Sequence, residues 1–197
     1  MAEGTGTNSR RFDSGRVCLD LVATGAPSGA RERIDRPARL AAWLVASRLV
    51  PREAPLETVD ETWVARFLQL RTGIDRLMSA ELTGGSADDD LERVNALAAG
   101  APPGLRAVRG QGGALVRVLS ADPVCGALLA AVARDAVDLL TDPVARAALR
   151  RCQGAACRRL YLDTSRGMRR RWCSSEVCGN RERVARHRRR VRAAACE

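Results

Sequence analysis

The sequence contains no lysine, a single histidine and few aromatic residues, which make up 3% of its 197 residues. With one histidine and no recognisable catalytic triad or phosphate loop, the chain is not expected to be an enzyme. The scarcity of aromatics weighs against a protein that binds single strands by stacking bases. All 33 basic residues are arginines. A GC-rich genome explains this most simply, although planar guanidinium groups also suit phosphate and guanine.

Long hydrophobic runs are also missing. Uncharged apolar runs, such as 40–47 and 126–133, are much shorter than the roughly 18 residues that a membrane span requires. Residues 1–15 are polar and do not resemble a secretory signal. The sequence therefore predicts a cytoplasmic protein without a membrane segment. In that reducing compartment, clustered cysteines indicate a metal site rather than disulfides.

The positive charge is concentrated at the C-terminal end. Residues 150–197 hold 15 of the 33 basic and 4 of the 23 acidic residues, which gives a net charge of 15 − 4 = +11. Residues 1–149 hold the other 18 basic and 19 acidic residues, a net charge of −1. We therefore expect a disordered tail at 1–15, a mostly helical domain at 16–149 and a basic module at 150–197.

Helical spacing of apolar residues dominates the N-terminal domain. The segment 17–24 is too short to assign to a helix or a strand. Near 105–119 the apolar period changes, and the glycines at 110–113 predict a β-hairpin between 105–109 and 114–119. A phosphate-binding loop is a weaker alternative for these glycines. Helices are predicted at 35–50, 57–82, 88–99, 122–140 and 142–150.

Particular residues define these predicted helices. Pro37 and Pro143 suit first turns, Asp122 and Asp142 suit caps, and Gly84 suits a helix end. The helix at 88–99 is expected to turn Leu91, Val94, Leu97 and Ala98 inward. The predicted fold class is mainly α with a small β-hairpin (α+β), followed by a treble-clef-like or ribbon-like zinc finger that ends in a basic helix.

Four cysteines in the basic module have metal-ligand spacing. Cys152 and Cys157 are separated by four residues, as are Cys173 and Cys178, and fifteen residues separate the two pairs. Two such pairs joined by a hairpin-sized connector are typical of a structural Zn²⁺ site with four thiolates. An iron–sulfur site and four metal-free cysteines are the alternatives. Surrounding arginines favour the thiolate form and offset the negative charge of the complex.

The remaining candidate ligands lack a partner at suitable spacing. Cys18 and Cys125 are expected in the core and Cys196 at a frayed end. His187 could replace a cysteine as ligand, but a packing role is favoured.

The segment 152–181 resembles the CGNR zinc finger, which is named for the sequence at positions 178–181. The N-terminal part is similar to the ABATE domain, which usually precedes this finger in bacterial proteins and is associated with stress-induced transcription regulation. The resemblance implies a DNA-binding regulator whose N-terminal domain senses a small-molecule effector. The family signature near 19–24 has Ala23 where asparagine is usual, so a different ligand or none is implied. Other finger residues that match are Leu160, Asp163, Ser165, Arg166, Arg170 or Arg171, and Trp172.

The segment after Cys178 predicts a basic helix from 181 to about 194, capped by Asn180. Val184, His187 and Val191 fall on one stripe that is expected to pack inward. The remaining surface is arginine-rich and favours duplex DNA as partner; RNA or the ribosome, and an acidic protein partner, are alternatives. Tyr161 and Trp172 are expected to pack the module rather than stack on bases. The predicted nucleic-acid-binding residues are Arg166, Arg169, Arg170, Arg171, Asn180, Arg181, Arg183, Arg186, Arg188, Arg189 and Arg190.

Overall fold

A computed structural model of the chain describes residues 15–25, 32–155 and 157–194. The predicted disordered tail lies outside the described residues, except for Gly15. Within the described part, seven α-helices and two small antiparallel hairpins confirm the predicted fold class. No described helix is long and apolar enough to cross a membrane.

The first two helices border the core. The segment left open by the sequence forms a short helix, α1 (Val17–Val22), whose residues 18–21 are buried. The second, α2 (Pro37–Ala46), begins with proline in its first turn, as predicted. It ends before the predicted stop because Arg48 adopts a left-handed conformation with φ of 60°.

The long third helix, α3 (Glu61–Thr83), crosses the centre of the domain. Asp60 caps it by accepting a hydrogen bond from the Trp63 amide, and Gly84 ends it with φ of 70°. The next helix, α4 (Asp88–Ala98), packs against α3 through Val94. Leu91, which was predicted to face inward, is instead 40% exposed. The buried face of α4 is narrower than the apolar stripe in its sequence.

The predicted β-hairpin is present. Strands β1 (Leu105–Arg109) and β2 (Leu115–Leu119) pair antiparallel, with Ala107 opposite Arg117. The turn glycines Gly112 and Gly113 have φ of 86° and 82°, conformations that glycine adopts without strain.

Two helices complete the domain. The buried helix α5 (Cys125–Thr141) begins three residues after the predicted cap Asp122: Val124 occupies the cap position and no side chain caps it. Asp142 caps the short helix α6 (Pro143–Ala148), as predicted. That helix stops before Arg150, because the chain continues as a strand.

This strand joins the domain to the cysteine-rich segment. Strands β3 (Leu149–Arg151) and β4 (Leu160–Leu162) pair antiparallel. Side chains alternate between the two faces of a strand. Accordingly, Leu149 and Leu160 belong to the N-terminal core, whereas Tyr161 packs with Cys152 and Cys178 in a second cluster.

Candidate metal centre and basic helix

The four cysteines predicted from spacing come together in space. Their Sγ atoms all lie within 4.8 Å of one another, with Cys157 3.8 Å from Cys173 and Cys173 3.7 Å from Cys178. Four sulfurs at about 2.3 Å from one ion would be about 3.8 Å apart in a regular tetrahedron. The donor set and its size therefore fit one tetrahedral metal ion.

Backbone turns on both sides build this cluster. In the first, the Cys157 amide donates to the Gly154 carbonyl, 2.8 Å away. A Cβ on Gly154 would lie 3.4 Å from Cys157 Cβ and 3.7 Å from Cys152 Sγ, so this turn packs directly against the cysteines. The Cys173 amide donates to Cys152 Sγ at 3.4 Å. Such hydrogen bonds orient a thiolate ligand and stabilise its charge.

The second turn is a π-type turn, Ser175–Gly179, which carries Cys178. The Ser174 side chain accepts from the Val177 amide at 3.2 Å, and the Ser174 carbonyl accepts from the Gly179 amide at 3.0 Å. Trp172 covers Gly179: a Cβ there would lie 3.5 Å from the indole ring. Packing of Tyr161 and Trp172 in this cluster agrees with the expectation that both are packing residues.

The thiols influence one another's ionisation. A hydrogen bond from Cys173 lowers the pKa of Cys157 to about 4, and the same interaction raises the pKa of Cys173. Burial raises the pKa of Cys178 to about 11. Cys157 is thus favoured as a thiolate, whereas a metal ion must displace the protons of thiols such as Cys173 and Cys178.

Asp163 organises the connector between the two cysteine pairs. It is 1% exposed and accepts from the Ser165 hydroxyl at 2.6 Å, the Ser165 amide at 3.0 Å and the Arg170 amide at 2.8 Å. The Ser165 hydrogen bonds, followed by that of the Arg170 amide, hold the pKa of Asp163 below its ordinary value. The connector is therefore a closed loop held by one carboxylate.

The predicted connector arginines differ in their surroundings. Arg166 and Arg169 are exposed. Arg170 is half-buried, with its guanidinium 4.5 Å from the centre of the Tyr161 ring. Arg171 is exposed but donates to the Gln153 side chain at 2.7 Å and lies over Trp172. Arg170 and Arg171 thus support the finger, whereas Arg166 and Arg169 are exposed to solvent.

The last helix, α7 (Asn180–Ala194), continues directly from the π-type turn. Asn180 is its first residue rather than a cap outside it. The inward packing predicted for its apolar stripe is wrong: Val184 is 41% exposed, Val191 is 55% exposed and His187 is exposed. The reason is that α7 packs mainly against the π-type turn, so its outer part has no described element beneath it. The exposed arginines of α7 are Arg181, Arg183, Arg186, Arg188, Arg189, Arg190 and Arg192.

One contact that fastens α7 was not predicted from the sequence. The Glu182 carboxylate accepts from the Ala155 amide at 2.9 Å and so ties the helix to the first cysteine turn. A signal was available, because Glu182 is the single acidic residue in 180–194.

Among the described residues, His187, Cys18 and Cys125 do not belong to the group of ligand atoms that forms the metal cluster. Cys18 and Cys125 are buried, as expected. Cys196 lies outside the described residues.

Comparisons with known protein families match both parts of the chain. Residues 15–143 match the ABATE family, whose description reads "putative stress-induced transcription regulator". Residues 148–191 match the CGNR zinc finger. A search of curated proteins found no match.

Proposed function

Because the chain belongs to the ABATE family and ends in a CGNR zinc finger, we propose that it is a cytoplasmic, DNA-binding transcription regulator. Its four clustered cysteines hold Zn²⁺, its arginine-rich helix α7 binds duplex DNA, and its N-terminal domain responds to a small-molecule effector.

Zinc is the metal that best fits the site. Four thiolates in a tetrahedron suit Zn²⁺, which has no geometric preference of its own. Four sulfurs fill the coordination shell and leave no position for water, so the ion has a structural role. We accordingly propose that the finger has no catalytic function.

The exposure of the arginines on α7 is the observation that carries the DNA-binding proposal. Seven arginines on a helix of 15 residues, with one glutamate, form an exposed cationic surface. Like charges at helical neighbour positions destabilise a helix, and an anionic partner removes that cost. The DNA major groove admits an α-helix, and arginine can read guanine there.

The N-terminal end of α7 is best placed for base contacts. Glu182 and the π-type turn attach this end to the metal cluster, so Asn180 and Arg181 are held on a stiff support. The arginines from Arg186 onward act chiefly on phosphates, which position the protein without reading sequence.

Two measurements test the proposal. Protein purified without chelators is analysed for metal, with one zinc ion per chain expected. Genomic fragments bound by the protein are then selected, and a recovered duplex is competed against structured RNA at matched salt. Preference for the duplex, lost after zinc removal, supports the proposal. Equal or better competition by RNA contradicts it.

The exposed valines favour one other function. On α7, Val184 and Val191 lie seven residues apart and are 41% and 55% exposed, which is the spacing of a helix-pairing stripe. A protein partner that covers this stripe is the second candidate. Replacing Val184 and Val191 with serine distinguishes the two, because DNA binding should survive this change and docking of a partner helix should not.

A further inference from the structure

A groove lies between helices α3 and α4, on the N-terminal domain. It has a volume of about 690 Å³. Along α3 it extends from Arg66 to Arg76, which at 1.5 Å per residue corresponds to about 15 Å. A groove of this size accommodates a small organic molecule.

The floor of the groove is apolar. Leu70, Val94 and Leu129 line it and are 4%, 1% and 1% exposed. Gly73 leaves its middle open: a Cβ at this position would lie 3.5 Å from Asp90 Oδ1. Glycine inside a helix costs about 1 kcal/mol relative to alanine, so the space at Gly73 is obtained at some expense of helix stability.

The charges along the groove are unevenly distributed. Three arginines, Arg66, Arg76 and Arg93, line it together with one carboxylate, Asp90. Arg93 and Arg76 contact Asp90 only loosely, at 3.4 and 4.0 Å, and their side chains are 70% and 65% exposed. The lining therefore retains two positive charges that Asp90 does not neutralise.

A neighbouring recess gives the two ends of the groove different electrostatic surroundings. Asp75, Asp88 and Asp89 line this recess, which shares Asp90 and Arg76 with the groove, so its carboxylates outnumber its single arginine. It lies near the turn 84–87 that joins α3 to α4, and the two helices run antiparallel. An anionic group is therefore repelled from the turn end and attracted to Arg66 and Arg93.

We propose that this groove binds an amphipathic organic acid with one carboxylate and an apolar body. The carboxylate pairs with Arg66 and Arg93, whose planar guanidinium groups suit it. The apolar body lies over Gly73 and covers Leu70 and Val94. This assignment names the ligand class for the effector response and so rests on the function proposed above.

Binding is tested on the full-length, metal-loaded protein with octanoate, octanamide and octylamine, which share one chain and differ in charge. Isothermal titration and amide NMR shifts at Gly73 report binding without DNA. We expect octanoate to bind tightest. Arg66→Gln and Arg93→Gln should each weaken octanoate about tenfold, the size of one lost charge-assisted hydrogen bond. Octanamide binding should change little.

Arg52→Gln is the matched control, since Arg52 does not line the groove. Gly73→Leu should block all three probes. Gly73→Ala, which the available space accepts, checks that substitution at this position leaves the fold intact. Thermal unfolding monitors every variant.

The proposal is overturned if octanamide or octylamine binds as tightly as octanoate. It is also overturned if the Arg66 and Arg93 variants behave like the Arg52 control, or if properly folded Gly73→Leu still binds octanoate. Because DNA is absent from these assays, their failure is separate from a failure of DNA binding.

Discussion

Among single residues, Cys173 belongs to the metal cluster, and its sulfur lies 3.8 Å from that of Cys157 and 3.7 Å from that of Cys178. Cys173→Ser should abolish high-affinity metal binding, because three thiolates and a hydroxyl form a poor shell for a structural zinc ion. Metal content per chain and circular dichroism are the measurements. Metal binding and folding are coupled in small modules, so 163–194 should lose order.

Cys196→Ser is the control for this change, since Cys196 is outside the paired spacing. It should retain the metal. Full metal content in Cys173→Ser would show that the cluster binds through other ligands.

Glu32 gives the N-terminal domain an acid-sensitive ion pair. Its carboxylate accepts from both terminal nitrogens of Arg71, at 2.7 and 2.8 Å. Burial acts to raise the pKa of Glu32, but the hydrogen bonds and charge of Arg71, together with hydrogen bonds from the Arg33 and Ile34 amides, outweigh it and hold the pKa below its ordinary value. A depressed pKa in the folded state means that the pair stabilises the protein fully above the unfolded-state pKa. That contribution is lost as the pH falls through the folded-state pKa.

Glu32→Gln should therefore lower the melting temperature at neutral pH, and the deficit should shrink as the pH falls below about 4. Thermal unfolding at a series of pH values measures it. Asp35→Asn is the control, because Asp35 pairs with Arg39 at a more exposed position. A deficit that is independent of pH would contradict a role for the Glu32 charge.

Residue spacing was sufficient to predict the metal cluster but not its supports. The four cysteines carry their own signal, because two short intervals separated by a hairpin-sized connector restrict how the chain can bring the sulfurs together. Asp163 and Glu182 act through backbone amides of residues 165, 170 and 155. Any residue except proline offers such an amide, so the sequence does not identify which amides are bound, although Glu182 stands out as the single acidic residue in 180–194.

At the level of the elements, only some of the aspartates that precede a helix accept a hydrogen bond from its first turn. Asp60 accepts from the Trp63 amide at 2.9 Å, whereas Asp122, which was predicted to cap a helix, precedes α5 without capping it. Asp60→Ala should lower the free energy of unfolding by about 1 kcal/mol, and Asp122→Ala by much less. Chemical denaturation of the two variants makes this comparison, and equal losses would contradict it.

The elements themselves were largely predictable, because α3, α4 and the first hairpin carry clear periods and turn residues. Periodicity could not predict whether each apolar stripe has another element to pack against. Val184 and Val191 have the spacing of a packed face, yet α7 extends past the finger and leaves them exposed. Leu91 on α4 is a second example. An apolar stripe shows which face of a helix can be buried. The tertiary arrangement determines whether another element covers that face.

On the scale of the whole molecule, the hairpin of β3 and β4 connects the metal cluster to the N-terminal core. Leu160 is 1% exposed in that core, while the next residue, Tyr161, packs on the cysteines. Arg151 also donates to the Ser79 hydroxyl on α3. The proposed boundary at 149/150 thus falls within one shared hairpin.

Leu160→Ala should therefore destabilise the N-terminal domain by about 2–5 kcal/mol, although the residue belongs to the finger segment. Thermal unfolding of metal-loaded protein measures the loss. Leu115→Ala is the control, since Leu115 is 68% exposed on the first hairpin and should cost little. A change confined to metal affinity would show that the two parts unfold independently.

The distribution of charge along the chain predicts which residues bind DNA. Residues 1–149 are nearly neutral, so duplex affinity should depend on the arginines of the finger and α7. If about six of them neutralise phosphates, log affinity should fall against log salt with a slope near −5. Arg189→Gln with Arg190→Gln should weaken binding to every duplex and flatten this slope by about two units.

Arg52→Gln with Arg146→Gln removes equal charge from the N-terminal domain and should leave the slope unchanged. Fluorescence anisotropy across a salt series measures each slope. Weak binding at low salt with little salt dependence would contradict the DNA-binding proposal and favour a protein partner for α7.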